Sequence, residues 1–108
     1  MNERIVIGEG KHKVWLERSQ AGEDIILVVG GGERPHIGGV VMKVPGEEIR
    51  VMNIGTHKDF HLLIPLAEKV SEKDDVTVVA TGGVHVDDAT KEDIQKIVEN
   101  CAELAQKI

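Results

Sequence analysis

Eight of the twelve glycines in this 108-residue chain fall in three short stretches, and each stretch carries histidine and follows a run that reads as a β-strand. The first is Gly30-Gly31-Gly32-Glu33-Arg34-Pro35-His36-Ile37-Gly38-Gly39. The second is Gly55-Thr56-His57-Lys58-Asp59-Phe60-His61, and the third is Gly82-Gly83-Val84-His85-Val86-Asp87. Glycine reaches positive φ at little cost and lets backbone N–H groups approach a ligand closely. Loops held by a rigid scaffold are where binding groups collect. The pattern describes a strand-rich scaffold that presents Gly/His loops, and it points to a small anionic ligand.

The segments between these loops set the scaffold. Lys13–Glu17, Asp24–Val29, Ile37–Val44 and Glu48–Ile54 read as four strands joined by short connections, as in an antiparallel meander. Pro45-Gly46 is the strongest turn signal. Asp24–Val29 is apolar almost throughout, which suits a strand buried on both faces. Ile5-Val6-Ile7 fits either a further strand or a loose terminus. Phe60–Glu72 has helical periodicity, with Asp59 placed to cap it and Pro65 placed to kink it or delay its start. Val76–Ala80 is a fifth strand. Thr90-Lys91-Glu92-Asp93 resembles a capping box, and Ile94, Ile97, Val98, Cys101, Leu104, Ala105 and Ile108 form an apolar stripe on the helix that follows. The expected fold class is α+β: a mainly antiparallel sheet of about five strands with two helices on one face, in one domain over residues 1–108.

Composition narrows the function. A formal net charge of -6 excludes a basic nucleic-acid module. An anionic ligand therefore needs a local positive spot. The longest unbroken apolar run, Ile25–Val29, is far too short to span a membrane. Cys101 is the sole cysteine, so no disulfide forms within the chain, and the opening residues do not read as a signal peptide. These features lead us to expect a cytoplasmic protein.

Within the first stretch, consecutive glycines after a strand can form an anion-binding concavity of backbone amides, and Arg34 adds a planar cation suited to phosphate. Pro35 narrows the directions open to His36. The nucleotide-binding patterns fail: no Gly-Lys-Ser/Thr is present, and Pro35 stands where a dinucleotide fingerprint requires glycine. Lys58 offers a second charge for a phosphate. His57 suits ligand contact and helix capping equally, His61 suits a plain surface position, and Asp87 and Asp88 suit the positive end of the last helix. His36, His57 and His85 are the candidates for a three-histidine metal site with one open position. Cys101 lies on an apolar stripe and the serines lack a nearby histidine, so nucleophilic catalysis is poorly supported. Trp15 at strand spacing reads as core.

Taken together, Gly31-Gly32-Glu33-Arg34-Pro35-His36-Ile37-Gly38, then His57-Lys58-Asp59, then Gly83-Val84-His85-Val86 followed by Thr90-Lys91, resemble the LpdD-like family of prenylated-flavin chaperones associated with gallate-type decarboxylases. The resemblance runs from about Asp24 to Ile108. It implies a fold similar to proteasome-assembly chaperone subunits and a homodimer. It also implies binding of reduced prenylated FMN and its delivery to an apo-decarboxylase of the UbiD type. The cofactor-binding residues it implies are Gly31, Gly32, Arg34, His36, Gly38, His57, Lys58, Gly83 and His85, with no catalytic residue. His61 and Pro65 depart from the family pattern. Two other readings stand beside it: a small histidine- or metal-dependent enzyme, and a structural accessory subunit of a decarboxylase.

Overall fold

The structure, a computed structural model, describes residues 3–55 and 59–108. Strands β1 (Glu3–Ile7), β2 (Val14–Ala21) and β3 (Asp24–Gly31) come first, with a 3-10 turn at Gly10–His12 between β1 and β2. β4 (Arg34–Lys43), β5 (Arg50–Asn53), helix α1 (Phe60–Asp74), β6 (Val78–His85) and helix α2 (Lys91–Lys107) follow. The fold is α+β as expected, with six strands: Ile5-Val6-Ile7 belongs to an edge strand paired antiparallel with β2.

The strand order is β1-β2-β3-β6-β4-β5. The two expected hairpins, β2–β3 and β4–β5, both form, but they do not make a continuous meander. β6 inserts between them, parallel to β3 and antiparallel to β4. The register aligns Ile25, Leu27 and Val29 of β3 with Val78, Ala80 and Gly82 of β6, so side chains of one face stand in rows across the centre.

Both helices cover that face. Leu63, Leu66, Ala67 and Val70 from α1 and Ile97, Cys101 and Leu104 from α2 close over Val14, Leu16, Leu27, Val29, Val41 and Ala80. Burial in β3 therefore alternates: Ile26 is exposed and Val28 half-buried, correcting the expectation of a strand buried on both sides. The opposite sheet face carries Val6, Trp15, Ile26, Val28, Val79 and Met42, none of them buried. Trp15 lies there rather than in the core, against Gly30, with the Arg4 guanidinium over its ring at 4.7 Å. No helix among the described residues is long and apolar enough to cross a membrane.

The start of α2 follows the sequence closely. Asp93 N–H donates to Thr90 Oγ1 at 3.1 Å, and the Asp93 carboxylate accepts the Thr90 N–H at 2.9 Å, completing the capping box. The same carboxylate meets His12 Nε2 at 2.7 Å and Lys11 Nζ at 3.2 Å, while Asn100 donates to the His12 carbonyl at 2.8 Å. The Thr90 amide, then His12, hold the Asp93 carboxyl well below the usual carboxylate range. Because this cap also fastens α2 to the β1–β2 connection, Thr90→Ala is expected to cost about 1 kcal/mol. Thermal denaturation should show the melting temperature falling by roughly 4–8 °C; an unchanged melt would mean that the box contributes nothing.

α1 begins differently. Asp59 occupies its N-cap position, yet its side chain makes no capping bond and turns into the protein instead. Pro65 lies within the helix, which continues through it from Phe60 to Asp74.

Candidate functional site

A cleft of about 470 Å³ opens where the ends of β4 and β6 meet the first turns of the two helices. Three of the segments singled out by glycine and histidine contribute to it. His36 arrives from β4, Asp59, His61 and Leu62 from the start of α1, and Val84 and His85 from the end of β6. The fourth wall is α2, through Ile94, Ile97 and Val98.

The polar end is built around a buried carboxylate. Asp59 is only 8% exposed. Its Oδ1 accepts the Val84 N–H at 3.0 Å, and its Oδ2 lies 3.5 Å from His36 Nε2. Two strand glycines make this arrangement possible. A Cβ on Gly38 would stand 2.0 Å from Asp59 Oδ2, and one on Gly83 would stand 2.9 Å from His36 Nε2 and 3.0 Å from Asp59 Cγ. Gly38 also falls within the irregular stretch of β4–β6 pairing between Pro35 and Gly39, where the ladder loosens to admit the carboxylate. The His36 and His85 rings meet edge to face, with centroids 5.8 Å apart.

At the mouth, His85 Nε2 lies 2.8 Å from Asp87 Oδ1, and Arg34 donates to the same oxygen at 3.2 Å. The hydrogen bond from His85, followed by the Arg34 charge, lowers the Asp87 pKa. Asp87 thus serves the His85–Arg34 pair, in addition to lying just before α2. Its own N–H is fixed by Glu33 Oε1 at 2.9 Å. Arg34 is well exposed, so its guanidinium is reachable from solvent.

The first glycine stretch does not form the expected amide nest. Gly32 N–H donates to the Lys13 carbonyl at 2.9 Å and Glu33 N–H to the His85 carbonyl, while Gly31 pairs with Val14. Gly31 and Gly32 therefore secure the strand ends behind the cleft and take no part in its lining. Among the described residues, the positive charge beside the cleft is on the exposed Arg34 side chain, which reaches Asp87, and not on those backbone donors. His57 and Lys58 lie outside the described residues. Among the described residues, no three His, Cys, Asp or Glu side chains are grouped to hold a metal ion.

Two features of the cleft were not read as functional from the sequence. Asp59 looked like a helix cap, and the signal that could have revealed it is a pair of glycines, Gly38 and Gly83, inside strands where glycine is otherwise unfavourable. The apolar wall belongs to the stripe expected on the last helix. The α2 stripe divides into two rows: Ile97, Cys101, Leu104 and Ile108 are buried, whereas Ile94 and Val98 are about half exposed and face the cleft.

A one-faced helix layer over a mixed sheet, with a cleft polar at the strand ends and apolar along α2, defines a small α+β protein. A crystal structure titled as a novel chaperone complex for yeast 20S proteasome assembly shares this fold, with a TM-score of 0.57 and 14% identity over 98% of this chain and 96% of that one. No curated protein matches the chain at a significant level. The chain belongs to the prenylated flavin chaperone LpdD-like domain family, whose model matches residues 8–108.

Proposed function

We propose that this protein binds reduced prenylated FMN in the cleft between β4, β6 and α2 and delivers it to an apo-decarboxylase of the UbiD type. The observation that carries the reading is the convergence of His36, Asp59 and His85 at one end of a cleft whose other wall is exposed hydrocarbon. A flavin mononucleotide has matching parts: a broad ring system with one polar edge, and a dianionic phosphate on a flexible chain. The volume lies within the range of pockets that enclose ligands of this size. Ile94, Val98 and Leu62 suit the ring faces, His36 and His85 the polar ring edge, and the exposed Arg34 the phosphate, with Lys58 as a second cation. The reduced, prenylated flavin supplies the decarboxylase with its chemistry; this chain's residues bind, orient and shield.

A carrier needs affinity without turnover. Cys101, whose thiol is pushed up to about 12 by burial and then by the nearby Asp59 charge, offers no nucleophile. Release requires that the recipient bind the cofactor more tightly than the carrier does, so moderate affinity is appropriate. The open sheet face bearing Val6, Trp15, Ile26 and Met52 supports a homodimer, since an apolar face of this kind is characteristic of an interaction surface. We also assign the protein to the cytoplasm, beside the decarboxylase it would serve.

Anaerobic titration with reduced prenylated FMN tests the proposal. Saturable binding is expected at micromolar protein, about -8 kcal/mol, followed by activation of an apo-decarboxylase when the loaded protein is added. Failure to bind the reduced prenylated flavin at that concentration rejects it.

A further inference from the structure

The cleft does not end at α2. Past His61, Leu62 and Val98, which it shares, an apolar groove of about 230 Å³ continues between the helices. It is lined by Pro65 and Leu66 from α1 and by Cys101, Ala102 and Ala105 from α2, and none of these side chains carries a charge. Ile94, Val98 and Ala102 recur every fourth residue, so a single row on α2 leads from the cleft into the groove. Three of the lining residues are small, which leaves width where a leucine or phenylalanine would close the passage. The burial-raised thiol of Cys101 remains protonated at neutral pH and behaves there as one more apolar group.

From this continuity we infer that the groove between α1 and α2 receives the hydrocarbon that prenylation adds to the flavin, so that the protein distinguishes prenylated from plain FMN at this position. The inference rests on the proposed function above. Its occupant follows from the lining: the groove adjoins a pocket assigned to the flavin ring, its described side chains are apolar apart from His61 at the entrance, and it has room for a few carbon atoms. Polar parts of the cofactor belong at the opposite end, near Arg34 and His85. Selection for the prenylated form would then come from apolar burial, a form of discrimination that typically reaches about 10-fold or more for small hydrocarbon differences.

The test compares anaerobic dissociation constants for reduced prenylated FMN and reduced FMN in the wild type, Ala102→Phe and Val98→Ser. Ala102 is exposed, so a phenylalanine there can fill the groove without entering the core. The wild type is expected to prefer the prenylated form about 10-fold or more. Ala102→Phe should abolish that preference by weakening the prenylated ligand alone. Val98→Ser provides the second arm: Val98 borders both the ring pocket and the groove, so both flavins should bind more weakly, the prenylated form by more, and the preference should fall. A wild type that binds both flavins equally, or a folded variant of either kind that retains the full preference, overturns the inference while leaving cofactor binding intact. A wild type that binds neither flavin overturns the proposed function itself.

Discussion

Replacing Gly82 by alanine is expected to destabilise the native fold severely. Gly82 sits in the central strand β6 at φ +121°, and a Cβ there would stand 1.8 Å from the Val29 carbonyl oxygen and 2.9 Å from the Val29 nitrogen. Val29 is its register partner across the parallel β3–β6 pair. The obstruction is backbone, so rotating a side chain cannot relieve it; the two central strands would have to separate. Backbone strain for a residue with a side chain adds to the steric clash. A loss of about 4 kcal/mol or more is expected, placing the substitution among the most severe single changes. That is a large part of the 5–15 kcal/mol that typically holds a domain together, roughly. Circular dichroism should show either no cooperative melt or a midpoint lowered by about 15 °C or more. A variant melting within a few degrees of the wild type would refute the close approach at this position.

The second large effect concerns binding. Arg34→Ala is expected to weaken the complex with reduced prenylated FMN by about 1.5–3 kcal/mol, the range for a hydrogen bond to a charged group. In the structure Arg34 holds Asp87 at 3.2 Å, with both side chains more than half exposed. An exposed pair of this sort contributes little to stability, so a dianionic phosphate can displace Asp87 at little cost. Arg34→Lys should recover the charge but not the planar fork, and so restore only part of the affinity. Because the contact is at the rim, raising the salt concentration should weaken wild-type binding more than binding by Arg34→Ala. Equal dissociation constants for wild type and Arg34→Ala would remove Arg34 from the phosphate site.

Local chemistry was well marked in the sequence. Thr90 and Asp93 form the capping box their spacing suggested, the turn at Pro45-Gly46 leads into the β4–β5 hairpin, and the helix faces follow their periodicity. Such features depend on neighbours a few residues apart. The position of β6 does not: its small and β-branched residues are compatible with an edge or a centre, and only its pairing with residues about fifty positions earlier decides the matter. The same non-local pairing explains why the first glycine stretch was misread. The carbonyl of His85 takes the Glu33 amide, a contact that exists only because β6 ends beside β4.

Asp59 illustrates a different limit. Its sequence context is that of a helix cap, and its backbone does stand at that place. The competing partner, Val84 N–H, lies twenty-five residues away on another element. The missing side chains at Gly38 and Gly83, whose places Asp59 and His36 fill, record that competition more clearly than any residue near Asp59. The histidines, by contrast, do gather in one place: His36 and His85 are neighbours, and His61 lines the same cleft.

The strand order also governs assembly in time. The middle of the sheet is the last strand to leave the ribosome, after both flanking hairpins and α1 have been made. Until then the facing edges of β3 and β4 present unpaired amides and carbonyls, which invite pairing with other chains. Closure joins segments far apart in sequence, a step that is slow because the intervening loop must first be drawn in. A nascent or truncated chain that stops short of residue 78 holds two half-sheets with nothing to join them, and the cleft has no floor until the final third arrives.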